Sequence, residues 1–114
     1  MKSINTILDR VKTALLTVTD QVNHYEAFKK PDKYIVYAED SEGDSVEADD
    51  KKEAQSIQGT IDYFTLEDGD ENVDKIQRAL NDAHISFYLN SVQYESRDEG
   101  GKGYIHYEWV FEEA

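Results

Sequence analysis

The sequence predicts an α+β fold, a two-layer sandwich in which a mainly antiparallel sheet carries two helices packed on one face. Apolar residues recur at helical spacing in two segments, Ile4–Val18 and Val73–Ala83. The segments between and after them are rich in β-branched and aromatic residues, which favour strands. The predicted order is helix, three strands, helix, two strands. With 114 residues the chain has the size of a single domain, residues 1–114.

The first helix is predicted from Ser3 to about Thr19. Ser3 suits the N-cap, because its hydroxyl can accept a hydrogen bond from a free backbone N–H of the first turn. Thr17, Val18 and Thr19 weaken the last turn, because β-branched side chains lose rotamers in a helix. One face carries the apolar residues, spaced by three and four: Ile4, Ile7, Leu8, Val11, Leu15 and Val18.

The middle of the chain is predicted to be mostly β. Gln21 to Asp32 has no regular pattern and is expected to be irregular. Lys33 to Glu39 is a strand whose nearly continuous apolar character indicates that both faces are covered, at least in part. Asp40 to Lys52 is an acidic loop, with a short strand in Asp44–Ala48 that forms a hairpin with the strand before it. Glu53 to Leu66 is a long β segment.

The second helix is predicted from about Glu71 to Ala83, with Asp70 as its cap, because a carboxylate suits the positive end of a helix. A hairpin follows, with its turn in the glycine-rich segment before Tyr104. Trp109, the only tryptophan, is expected to be buried against the first helix near Leu8, Val11 and Leu15. Alternation places it on the most apolar face of the last strand, with Ile105, Tyr107 and Phe111.

Composition excludes several function classes. The chain has 25 acidic and 12 basic residues and a net charge of −13, which opposes binding to nucleic-acid phosphates or to an anionic membrane. It has no cysteine, so disulfides and thiolate metal sites are excluded. No apolar run is long enough to span a membrane, and the first residues lead into an amphipathic pattern rather than a signal core. A cytoplasmic protein is expected.

The sequence contains no catalytic constellation, so no enzyme is predicted. Asp68 to Asp74 begins like a calcium loop, but Val73 and Ala79 stand where an EF-hand needs glycine and glutamate, so a turn and a helix cap are favoured. His106 and Glu108 share one strand face, and such a pair can do acid–base work or hold a metal with a third ligand. A surface hydrogen bond or an interface contact is the favoured interpretation. We therefore predict no catalytic residue, no metal site and no cofactor.

The order of elements resembles the tail-terminator (tail-completion) proteins of long-tailed bacteriophages and prophages. The resemblance covers most of the chain. It lies in an opening amphipathic helix, a strand, a polar loop, a long strand, a second helix and a final hairpin. The matching segments are Ile4–Val18, Tyr34–Tyr37, the loop ending in Ala48-Asp49-Asp50, Gln58–Thr65, Val73–Ala83, Tyr94-Glu95 and Tyr104–Tyr107.

The resemblance implies a structural protein without catalysis or cofactor. Members of this family form a ring, usually a hexamer and in some cases only on assembly, that caps the tail tube and joins tail to head. The implied partners are other copies of the chain, the major tail tube protein and the head–tail connector. DNA would pass through the ring without direct binding, and no membrane is involved. The implied location is the tail or neck of the virion, and the host bacterial cytoplasm during assembly.

The acidic loop is the candidate interaction site. Inward carboxylates would repel phosphates and keep a DNA passage free of sticking. The loop is therefore expected to face the lumen of the ring or a partner protein. Its carboxylates are Asp40, Glu42, Asp44, Glu47, Asp49 and Asp50.

Two other functions remain open from the sequence. The first is an acidic DNA mimic, or another protein-binding inhibitor, that would occupy a basic nucleic-acid-binding cleft as a monomer or dimer. The second is a small enzyme using His106 and Glu108, which would need a concave pocket around a perturbed pair.

Overall fold

The computed structural model describes residues 2–48, 51–97 and 100–114, and describes side chains outside residues 44–53. It confirms the α+β class and the predicted order of elements. Two helices and a five-stranded sheet make up the fold. The elements are α1 Ile4–Leu16, β1 Val22–His24, β2 Lys33–Ala48, β3 Lys51–Thr65, α2 Asn72–Asp82, β4 Ser86–Glu95 and β5 Tyr104–Glu113.

The strands lie in the order β1-β2-β3-β5-β4. β1 runs parallel to β2, and every other neighbouring pair is antiparallel. Trp109 on β5 lies opposite Ile61 of β3 on one side and opposite Leu89 of β4 on the other. The sheet therefore ends in the very short β1 at one edge and in β4 at the other.

β1 lies in the segment that was expected to be irregular, so that prediction was wrong there. The strand has three residues, too few for a periodic signal in the sequence. Tertiary pairing defines it: the Asn23 side-chain amide donates to the Ile35 carbonyl oxygen at 3.1 Å, and the Ile35 N–H donates to the Gln21 carbonyl oxygen at 2.8 Å.

One hydrophobic core fills the space between the sheet and the two helices. The burial of Trp109 is confirmed, and it shares this core with Leu8, Val11 and Leu15. Its indole N–H donates at 3.0 Å to the Gln77 side chain of α2. The largest fully buried side chains are Trp109, Tyr63, Phe111, Ile7, Leu15, Ile35, Ile61, Ile76, Leu80 and Val11, with Thr65.

Both ends of α1 follow from local chemistry. The Ser3 hydroxyl accepts a hydrogen bond from the Thr6 N–H at 3.1 Å, which confirms the predicted N-cap. The helix ends at Leu16, earlier than expected. The Thr17 hydroxyl there donates to the Ala14 carbonyl oxygen at 2.6 Å, and such side-chain bonds compete with the helical pattern.

Neither helix of the described chain is long and apolar enough to cross a bilayer.

Candidate functional site

The acidic segment forms a strand, so the predicted loop over Asp40 to Ala48 was wrong. These residues continue β2 and pair with β3, as in Val46 opposite Ala54. The short hairpin expected between residues 44–48 and the preceding strand is also wrong, since both belong to one strand. The segment was missed as a continuation of β2 because it lacks the apolar alternation that marks a half-buried strand.

The distal part of the β2–β3 hairpin is a two-stranded arm. β1 pairs with β2 only over Ile35–Tyr37, and β5 pairs with β3 only over Ile57–Thr65. Within the described sheet, residues 43–48 of β2 and 51–56 of β3 therefore have only each other as strand neighbours. Residues 38–42 of β2 pair with residues 57–60 of β3, which β5 borders on the other side. The register shifts three times along the hairpin. The molecule is elongated, with extents of 58 × 27 × 22 Å.

The six predicted carboxylates have different positions. Asp40 and Glu42 lie on β2 just before the arm and are exposed, and Glu42 accepts a hydrogen bond of 2.7 Å from the Gln55 side chain. Asp44 and Glu47 lie further along β2. Asp49 and Asp50 lie outside the described residues. Four of the six carboxylate residues therefore lie along β2. Their role in an interaction stays a prediction.

His106 and Glu108 lie on the sheet face away from the helices, as predicted, but His106 contacts other carboxylates. Its Nε2 lies 2.7 Å from Asp62 Oδ1, and its Nδ1 lies 3.1 Å from Glu95 Oε2. Glu108 instead lies 3.5 Å from the Ser91 hydroxyl. A neutral imidazole has one N–H, so only the protonated ring can donate to both carboxylates.

The environment of His106 favours its charged form. The hydrogen bond to Asp62 raises the pKa of His106, burial opposes this, and Glu95 adds to the increase. The ring also stacks on Phe64, with centroids 4.2 Å apart. His106 of β5 thus joins carboxylates of β3 and β4 across the sheet. With both nitrogens engaged, it is arranged as a cross-strand link rather than as a free base.

An aromatic cluster lies beside His106 on the same face. Tyr34 stacks on Phe64 at 4.7 Å, and Tyr104 meets both rings edge-on. The Tyr104 hydroxyl donates to the carbonyl oxygens of Lys30 and Pro31, at 3.0 and 2.8 Å. Tyr34 is buried here, while its neighbour Ile35 is buried against the helices. This confirms the prediction that the first part of β2 is covered on both faces.

Two open clefts border this cluster. One has a volume of about 560 Å³ and includes Glu95 and Arg97 in its lining, and the other has about 410 Å³ and includes Asp62 and His106. Burial, helped by the neighbouring Tyr104 and Glu95, raises the pKa of Tyr34 to about 12. Within the described residues, no three histidine or acidic side chains converge as a metal site.

β4 is a free sheet edge. Its ten residues pair with β5 on one side, and no other described strand lies beyond it. Large apolar side chains are nevertheless exposed along it: Tyr88 at 57%, Leu89 at 48%, Val92 at 50% and Tyr94 at 64%. A long apolar edge of this kind is a template for pairing with another strand.

Comparison with known proteins does not assign a function to this chain. No protein-family model matches the chain, and a search of curated proteins found no relative.

Proposed function

We propose that this chain is a structural assembly protein of the phage tail-terminator type, which caps the tail tube as a ring and joins the tail to the head. The β2–β3 arm is the observation that carries the proposal. An isolated two-stranded ribbon is marginally stable in water, and a third strand or a packed surface stabilises it. An arm that extends beyond both β1 and β5 therefore gains most from contacts with other protein molecules.

The charge along β2 suits a passage for DNA. Asp40, Glu42, Asp44 and Glu47 follow one another along β2, in a chain with a net charge of −13. Carboxylates that face a channel repel phosphates, so DNA would pass without binding. The proposed partners are other copies of the chain in a ring, usually a hexamer in this family, the major tail tube protein and the head–tail connector.

The contacts of His106 favour a structural role in assembly over an enzymatic role. Both ring nitrogens lie within 3.1 Å of carboxylate oxygens on neighbouring strands. This arrangement stabilises the sheet and leaves no free nitrogen for proton transfer to a substrate. The proposed role needs no cofactor, and it places the protein in the tail or neck of a virion after assembly in the bacterial cytoplasm.

Deletion in the phage or prophage that encodes the chain tests the proposal. Electron microscopy of the lysate should show filled heads and tails that fail to join, or tails of uncontrolled length. Infectious virions of normal appearance would contradict the proposal. They would favour the acidic inhibitor instead, which should bind a basic nucleic-acid-binding enzyme.

A variant with a shortened arm tests the role of the arm while the rest of the fold is retained. Glu42 and Ile57 are paired, so residues 43–56 can be replaced by a two-residue Asn-Gly turn that closes the hairpin there. The core residues are unchanged, and circular dichroism should show a folded protein. This variant should fail to complement the deletion. As a matched control, Gly69→Asn replaces an exposed turn glycine with φ +72° and should complement fully.

A further inference from the structure

β4 lacks most of the features that protect sheet edges. Natural edges are short, or carry proline, lysine or inward-pointing charges. β4 has ten residues, SFYLNSVQYE, with neither proline nor lysine, and its only charge is Glu95 at its end. It does have one β-bulge, between Leu89 and Ser91.

The bulge gives β4 an internal symmetry. Before it, Phe87 and Leu89 lie opposite Phe111 and Trp109, so they share the face on which the helices pack. After it, Val92 and Tyr94 lie opposite Tyr107 and Ile105, on that same face. The extra residue, Asn90, shifts the alternation by one. The apolar positions 87, 89, 92 and 94 are therefore symmetric about the midpoint between Asn90 and Ser91.

We propose that two copies of the chain pair through β4 as antiparallel strands, with a two-fold axis through that midpoint and perpendicular to the sheet. This register sets Leu89 opposite Val92 and Phe87 opposite Tyr94, each twice, on the helix side. On the other face it sets Tyr88 opposite Gln93 and Ser86 opposite Glu95, so no like charges face each other. The result is one continuous ten-stranded sheet, five strands from each copy.

Other registers are less favourable. A slip of one residue would set helix-side residues of one copy against the residues of the opposite face in the other. A slip of two residues matches most faces, but next to the bulge it sets Leu89 against Asn90 or Ser91 against Val92, on opposite faces. It also loses one of the two apolar pairings. The sequence of β4 is thus self-complementary in a single register.

A second copy fits this edge better than the other free edges of the fold. β1 has only three residues, and the arm strand β2 carries carboxylates. The total charge of −13 on each copy opposes pairing, while the contact itself is apolar and made of backbone hydrogen bonds. Because salt screens that repulsion, the dimer should become tighter as ionic strength rises. A contact driven by opposite charges would weaken instead.

The pairing is independent of the proposed function. A two-fold contact uses the same patch on both subunits and ends with two copies, whereas a ring needs head-to-tail contacts. β4 pairing would cover the apolar edge in the free protein, whatever the protein later assembles with. The test therefore uses the purified chain alone.

Disulfide cross-linking tests the register, because the chain has no cysteine of its own. A tagged Leu89→Cys protein is mixed with an untagged Val92→Cys protein and oxidised. Opposed Cβ atoms lie close enough for a disulfide, whereas two copies of position 89 would lie three residues out of register. Mixed dimers should form, and neither protein alone should cross-link. Phe87→Cys mixed with Tyr94→Cys should behave in the same way.

The outcomes are distinguishable on a denaturing gel. Mixed dimers from both cysteine pairs support the proposal. It is overturned if Leu89→Cys alone cross-links as fast as the mixture, or if neither mixture cross-links.

Sedimentation equilibrium provides a second measurement. Leu89→Lys should raise the dimer dissociation constant at least about tenfold, because a charge would enter an apolar pair on both sides of the axis. Leu16→Lys is the matched control, since Leu16 is equally exposed at 45% but lies on α1. It should leave the constant unchanged. A monomer at every concentration, a larger oligomer, or equal effects of the two substitutions would overturn the proposal.

Discussion

The Tyr63 hydroxyl donates a hydrogen bond of 2.6 Å to the Asp70 carboxylate, and both residues are buried. The same carboxylate oxygen accepts from the Thr65 hydroxyl at 2.7 Å, and the other accepts from the Asn72 N–H at 2.9 Å. Lys33 Nζ lies 3.4 Å away. Burial opposes ionisation, but these bonds and the lysine charge together lower the pKa of Asp70. Asp70 thus anchors the start of α2 to β3.

Tyr63→Phe should destabilise the fold by about 1–2 kcal/mol, because Asp70 loses a charge-assisted hydrogen bond within the core. Chemical denaturation of the variant measures this difference. Tyr107→Phe is the control, because Tyr107 lies on the same face beside Trp109 and is half-buried. A loss for Tyr63→Phe no larger than the control's would show that the bond is unimportant.

The stability contributed by His106 should depend on pH. Its pKa is higher in the folded protein than the ordinary 6.5, so the contribution is complete below about pH 6.5 and is lost as pH rises through the folded value. His106→Asn should therefore differ most from the parent below about pH 6.5, and the gap should narrow at higher pH. Free energies of unfolding at a series of pH values measure it.

His84→Asn is the control for this titration. His84 is exposed and has φ of 59°, a conformation that asparagine tolerates. The variant retains the His106 cluster, so its pH dependence should follow the parent. A gap between parent and His106→Asn that stays constant with pH would show that the ring is neutral in the cluster.

Arg10 joins α1 to the end of β5. Its guanidinium lies 3.1 Å from the buried Glu113 carboxylate as an ion pair, and it also donates to the Ala83 carbonyl oxygen. Arg10→Ala should cost about 1–2 kcal/mol, less than a fully buried pair, because Arg10 is 39% exposed and water screens it.

A double variant tests the cause of this loss. Adding Glu113→Gln to Arg10→Ala removes the stranded charge and should restore part of the stability. Arg78→Ala, at an exposed position on α2, should change little. Thermal melts of the four proteins are sufficient, and no recovery in the double variant would contradict a penalty from the unpaired carboxylate.

Gly59 permits a close approach in the sheet. A β-carbon there would lie 2.8 Å from the Phe111 ring and directly against the Ala38 carbonyl oxygen. Gly59→Ala should therefore cost roughly 1–3 kcal/mol through overpacking. Gly69→Asn, where nothing would lie within 4 Å of an added β-carbon, should cost less. Equal denaturation midpoints for these two variants would contradict the close packing of Phe111 on Gly59.

Much of the fold could be predicted because it depends on local periodicity. The stripe on α1, the Ser3 cap and the alternation that buries Trp109 are readable along a single segment. β1 was missed because three residues carry no period, and its stability comes from β2. The extension of β2 through residues 40–48 was missed because its sequence has no regular apolar alternation.

The site was less predictable, because its contacts join distant residues. His106 and Asp62 are 44 positions apart, and only the β3–β5 register brings them together. The sequence suggested Glu108 as the partner of His106, because the two share one strand face. The sequence predicted Asp70 as a helix cap. It did not predict the hydrogen bonds of Asp70 with Tyr63 and Thr65, because these depend on where β3 ends.

In vitro capping of tails tests the central claim most directly. Tails from a lysate that lacks this protein are purified, incubated with the purified chain and examined by negative-stain electron microscopy. Assembly on the tail tube predicts a ring of added density at one end of each tail, and none with the variant whose arm is shortened at residues 43–56. Bare tail ends after incubation with the intact chain would contradict the proposed function.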